Sequence, residues 1–181
     1  MYKRAWWTGA LLLLLAAPAA AAASQSTNAS QSITINVPAI NFVNVAGGPI
    51  TFEFDQTHWP GDPEIGGALS DVSEVASGTA TVLWLTNASR TSPVKITVGV
   101  NEAPPEWVSL FKVELASPSL QAGSGSCGEI PSGGVPLTTS AQPLVTGIHN
   151  KVCIAEATYS VAVDLDGYGT YSPTVTWTIG P

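Results

Sequence analysis

The chain has 181 residues, of which only 10% are charged and 45% are hydrophobic. With Lys3 and Arg4 set aside as part of an export segment, 4 basic residues face 13 acidic ones, a net charge of −9. A surface of that sign disfavours nucleic acid and anionic membrane partners.

Residues 1–23 read as a signal peptide. Lys3 and Arg4 give the positive end, the run Leu11 to Leu15 gives the apolar core, and Ala21, Ala22 and Ala23 offer small residues for cleavage. The apolar run is short for a bilayer span, so no stable transmembrane anchor is expected. The mature chain is expected as a single domain over residues 24–181, secreted to the extracellular space or held in the cell envelope.

From residue 32 onward, apolar side chains recur at every second position in short stretches that end in Gly, Pro, Asn or Asp. A period of two buries one face of a strand and wets the other. Ile33, Ile35 and Val37 alternate with polar residues and predict a first strand over 32–37, closed by Pro38. Residues 40–45 form a second apolar stretch, and Ile50, Phe52 and Phe54 predict another strand. Residues 55–77 read as an acidic loop. Residues 79–87 are apolar on both faces, which predicts a central strand. Further strands are expected over 94–100, 108–115, within 135–148, over 152–165 and over 173–179, with a turn at residues 167–169 before the last. No helical period follows the export segment. The expected fold is therefore all-β, an immunoglobulin-like or Greek-key sandwich of two antiparallel sheets.

Three stretches resemble small, largely uncharacterised secreted β-sandwich proteins of bacterial envelopes. They are residues 44–52 (NVAGGPITF), 137–148 (LTTSAQPLVTGI) and 171–179 (YSPTVTWTI). The closing Thr176-Trp177-Thr178-Ile179 is also similar to the last strand of WxL-type cell-surface domains, with Ile179 where that pattern has Leu. The resemblance to such domains implies association with peptidoglycan and implies no catalytic residue.

Two cysteines, Cys127 and Cys153, predict a disulfide in an oxidising compartment, with free thiols as the alternative. The only histidines, His58 and His149, fall in loops, and no Ser or Cys motif accompanies them in the pattern of a nucleophile and its base. The expectation is a non-enzyme with no cofactor. Asp164 and Asp166 beside Gly167 offer oxygen ligands for calcium, although Asp-Gly also serves an ordinary hairpin turn. Asp62, Glu64 and Asp71 form a weaker acidic group. Asn28 and Asn87 each begin a glycosylation sequon.

Two functional classes remain. A strand over 32–37 near the mature N-terminus can pair within its own domain or add to a neighbour's sheet edge, which gives a fibre or surface-layer subunit through self-association or contact with other envelope components. A cell-wall or carbohydrate-binding module is the alternative, with glycan stacking on Trp59, Trp107, Tyr168 and Tyr171.

Overall fold

The computed structural model describes residues 32, 34–58, 71–166 and 168–181. The export segment, Ile33, Trp59, Asp62, Glu64 and Gly167 lie outside the described residues. The chain divides into a unit of residues 1–36 and a compact unit of residues 37–181.

The compact unit is all-β. Its strands are β1 (Asn41–Ala46), β2 (Ala76–Thr86), β3 (Val94–Val100), β4 (Leu110–Leu115), β5 (Leu120–Ala122), β6 (Val135–Pro136), β7 (Gln142–Ile148), β8 (Lys151–Ala162) and β9 (Val175–Gly180). A single 3-10 turn, Gln56–His58, is the only helical element among the described residues. The larger sheet runs β1-β2-β8-β4-β6, with β5 also on β8, and the smaller runs β7-β3-β9. Every pairing is antiparallel.

The two sheets bury one face each against the other. Val82, Trp84, Val113 and Cys153 from the larger sheet and Ile96, Val98, Leu144 and Ile148 from the smaller are fully enclosed. β2 lies between β1 and β8 along its upper half, with Leu83 and Leu85 half-buried on its outer face. That central placement matches its apolar character on both sides. Aliphatic and aromatic side chains on a two-residue period leave a continuous greasy face, and removing it from water is the main force closing the layers.

Three expectations are corrected. The described residues of the strand predicted over 32–37 belong to no strand, and Ile35 and Val37 are 81% and 66% exposed. Residues 50–54 alternate between half-buried and exposed as predicted, yet they join no ladder. Ile50 and Phe52 instead lie over Gly78 on the inner face of β2, where any added Cβ would collide with Ile50. Alternation reports which side faces the core, not whether the backbone finds a partner. Third, the strand expected over 152–165 ends at Ala162, with Leu165 44% exposed, and β8 and β9 belong to different sheets rather than forming a hairpin.

Candidate functional site

Take the β2 start, where residue 76 pairs with residue 161, as the lower end of the sandwich, and the β2 end, where residue 86 pairs with residue 151, as the upper end. The lower end gathers the described residues of the connections 47–75, 101–109 and 163–174. They are tied together by backbone bonds. The Leu165 amide donates to the Asp71 carbonyl at 2.8 Å, the Asp164 amide to the Trp107 carbonyl at 2.8 Å, and Asn101 to Thr174 at 3.2 Å. Ser73, itself buried, donates its amide to the carbonyl of Val163, just past β8, at 2.9 Å, and its Oγ accepts from the Val163 amide at 3.0 Å.

This end holds three of the four aromatic residues expected to meet a glycan. Trp107 is half-buried and packs against Gly169, where a Cβ would stand 3.7 Å from Cζ2. Tyr168 is 92% exposed. Tyr171 is half-buried; its ring meets Phe111 edge-on with centroids 5.9 Å apart, and its hydroxyl donates to the Glu102 carbonyl at 2.6 Å. Burial, and then the charge of Glu102, raises the Tyr171 phenol above its ordinary value. Trp59, the fourth, lies outside the described residues.

Asp164 and Asp166 line an open hollow of about 450 Å³ together with Asp71, Val72 and Leu165. Sequence grouped Asp71 with Asp62 and Glu64, which lie outside the described residues; folding brings Asp71 beside Asp164 through the Val72–Asp164 bridge. No three His, Cys, Asp or Glu side chains among the described residues converge as a metal site. Calcium at Asp164 and Asp166 therefore rests on the sequence pattern alone.

His58 sits in the 3-10 turn, its Nδ1 3.0 Å from the Asp55 carboxylate and its ring edge-on to Phe54. Hydrogen bonds from the Thr57 hydroxyl and amide, then from His58, hold the Asp55 carboxyl below its ordinary value. His149 is at the opposite end, with its Nδ1 3.2 Å from the Gly147 carbonyl and its backbone bridged to Ser126. The two histidines thus stand apart, and each engages its own loop.

The predicted disulfide is present. Cys127 and Cys153 are bonded, with Cα atoms 5.9 Å apart and both side chains buried. Residues 126–129 run beside the β7 end of the smaller sheet, through bridges from Ser126 to His149 and from Glu129 to Thr146, whereas Cys153 belongs to β8 of the larger sheet. The bond therefore staples one layer to the other. Trp84 stands opposite Cys153 in the β2–β8 register, and its Nε1 donates to the Cys127 carbonyl at 3.2 Å. A second link joins the layers on the lower side, where Trp177 Nε1 of β9 donates to the Tyr159 hydroxyl of β8 at 3.2 Å. Trp177 itself is half-buried and packs against the core.

At the upper end, Asn87 holds the chain entering β1. Its Oδ1 accepts from the Ile40 amide at 2.7 Å, its Nδ2 donates to the Pro38 carbonyl at 2.7 Å, and its backbone amide donates to the Ile40 carbonyl at 3.2 Å. The sequence signalled Asn87 only as a sequon. A side-chain amide that mimics a backbone pair was the available clue, and it carries no meaning until residues 38–40 are known to pass beside it.

Comparison with protein-family models, curated proteins and solved structures gave no match.

Proposed function

We propose that this is a secreted, non-enzymatic structural protein of the cell surface, a fibre or surface-layer subunit that assembles when residues 32–37 of one copy add to a sheet of the next. The observation that carries this reading is the state of that segment. It has the alternation of a strand, its described residues join no ladder, and Ile35 and Val37 are left 81% and 66% exposed. An extended segment with apolar residues on one side and open backbone groups is the form a strand takes before adding to a sheet edge. Sparse charge and exposed threonines at Thr79, Thr81, Thr176 and Thr178 suit sheet-to-sheet contact.

The finer architecture belongs to the same proposal. A disulfide joining two β-layers beside a buried tryptophan is a hallmark of immunoglobulin-like sandwiches, and the crossovers between sheets suit a Greek key. The disulfide also supports an oxidising compartment, in keeping with export of residues 24–181 after removal of residues 1–23.

Electron microscopy of the secreted protein tests the reading. Wild-type chains are expected to form filaments or sheets, and chains lacking residues 24–37 are expected to remain single. Filaments that survive the deletion would end the strand-addition proposal.

One observation favours the carbohydrate-binding alternative: Tyr168 is almost wholly exposed on the same loop whose Gly169 covers Trp107. Polysaccharide pull-down with Tyr168→Ala and Trp59→Ala separates the classes. Retention on cell-wall glycan that both substitutions abolish would favour a binding module over a subunit.

A further inference from the structure

The ionisable side chains are sorted by end. At the upper end stand Arg90 in the β2–β3 connection, Lys95 opposite Gly180, and Lys151 opposite Thr86, with Glu129, bridged to Thr146 near the end of β7, as the acidic group on that side. At the lower end stand Asp71, Glu74, Glu102, Glu106, Asp164 and Asp166, and Lys112, opposite Ser160 and so level with Ser77, is the basic group on that side. Residues 24–181, of net −9, thus carry three of their four basic groups toward one end and their densest acidic loops at the other.

Among the described residues, the lower part of one edge of β2 also has no ladder partner. β1 pairs only with the upper half of β2, from Thr81 to Thr86. Below it, residues 76–80 of β2 pair with β8 on one side and with no described residue on the other. The floor beside this gap is apolar: Ile50 and Phe52 are half-buried over Gly78, and Val75 is 55% exposed. The other long edges are less available. β1 and β9 lie against each other, and β7 is flanked by residues 126–129.

Chain direction completes the match. Asn87 fixes residues 38–40 at the upper end, and the chain then runs downward through β1, antiparallel to β2. A copy translated upward along the strand axis presents its acidic end to this basic one. Its vacant β2 half lies in the same column as its own β1. An arm reaching up from below would run antiparallel to β2, collinear with β1. Six residues of arm extend about 20 Å and five residues of edge about 17 Å, so the lengths agree.

Resting on the strand-addition reading above, we infer that the acceptor is the lower edge of β2, residues 76–80, in a second copy of this chain, with the basic end of one copy seated on the acidic end of the next. Ile33, Ile35 and Val37 cover Ile50 and Phe52 of the neighbour. Translation without closure makes the contact head-to-tail and the product an open filament. Opposite charge at the ends guides the approach, suppresses head-to-head pairing, and weakens as salt screens it.

Two sets of full-length variants test this, with native circular dichroism as the folding control. Arg90→Glu with Lys95→Glu reverses the basic end, and Glu106→Lys with Asp166→Lys reverses the acidic end. All four positions are exposed. Each pair alone is expected to abolish filaments, and all four changes together are expected to restore them. Second, Thr34→Cys or Asn36→Cys combined with Thr79→Cys is expected to give a ladder of dimers, trimers and longer species with a short thiol-to-thiol reagent. Filaments that persist without residues 24–37 overturn the strand-addition reading itself. If the deletion abolishes filaments but the arm cysteine links to Thr178→Cys on β9 and not to Thr79→Cys, the acceptor assignment alone falls. Failure of the fourfold swap to restore assembly overturns the charge-matched stacking. Wild-type protein that stays monomeric at every concentration and salt overturns both proposals.

Discussion

Two tryptophans and one tyrosine link the layers by side chains that are polar at one tip and apolar elsewhere. Trp84 is fully enclosed, so its indole N–H must find an acceptor, and the Cys127 carbonyl supplies it. Trp84→Phe keeps most of the apolar volume but leaves that carbonyl without its donor. A loss of about 2 kcal/mol is expected by urea unfolding, from the missing bond and the space left by the smaller ring. Tyr159 gives a pH signature. Burial raises its phenol above the ordinary value, with the Trp177 bond opposing in part. The unfolded chain therefore loses this proton first. Stability from the neutral phenol is complete below about pH 10 and falls as pH rises beyond it. Tyr171 shifts the same way and adds to the trend. Tyr159→Phe is expected to cost about 1 kcal/mol at neutral pH and to make the alkaline decline shallower, read as melting temperature against pH. Trp84 was legible as a core residue because Val82 and Trp84 share one parity of a strand. Its carbonyl partner, 43 residues away, was not, since that contact exists only once the 126–129 segment crosses to β7.

The informative segments at the scale of elements are those whose pattern and pairing disagree. Residues 50–54 and 32–37 carry equally clear alternation, yet the described residues of neither belong to a strand. The first is held by its side chains on Gly78, and the described part of the second carries its apolar residues exposed. A strand is completed by a neighbour's N–H and C=O groups, which a local pattern does not specify. Conversely, β1, β2, β3, β4, β7, β8 and β9 all fall where alternation placed them, to within a few residues. The Asn87 clasp decides where the arm leaves. Asn87→Ala removes two side-chain bonds to residues 38 and 40. It is expected to lower stability by about 1 kcal/mol and to speed amide hydrogen exchange at Ile40, with little change at the centre of β8. If Ile40 exchanges as slowly as before, the clasp does not set the arm's departure.

The 37–181 unit combines an inter-layer core, an inter-layer disulfide and a separation of charge along the strand axis. The disulfide closes a loop of 26 residues. On the chain-entropy model, its reduction is expected to lower stability by about 3.5 kcal/mol, measured as the shift in denaturant midpoint with and without reductant. An unchanged midpoint would mean that the core alone holds the sheets together. By itself, the sequence determined the all-β class, most strand positions, the pairing of two cysteines and the scarcity of basic groups, because each depends on residue type and local spacing. Only the tertiary structure decided which strands share a sheet, which ends the charges occupy, and which described edge residues lack a ladder partner. Those depend on where distant segments lie relative to one another. Asp71 shows the physical reason: nothing local ties it to Asp164, and the backbone bridge at Val72 puts them on one hollow.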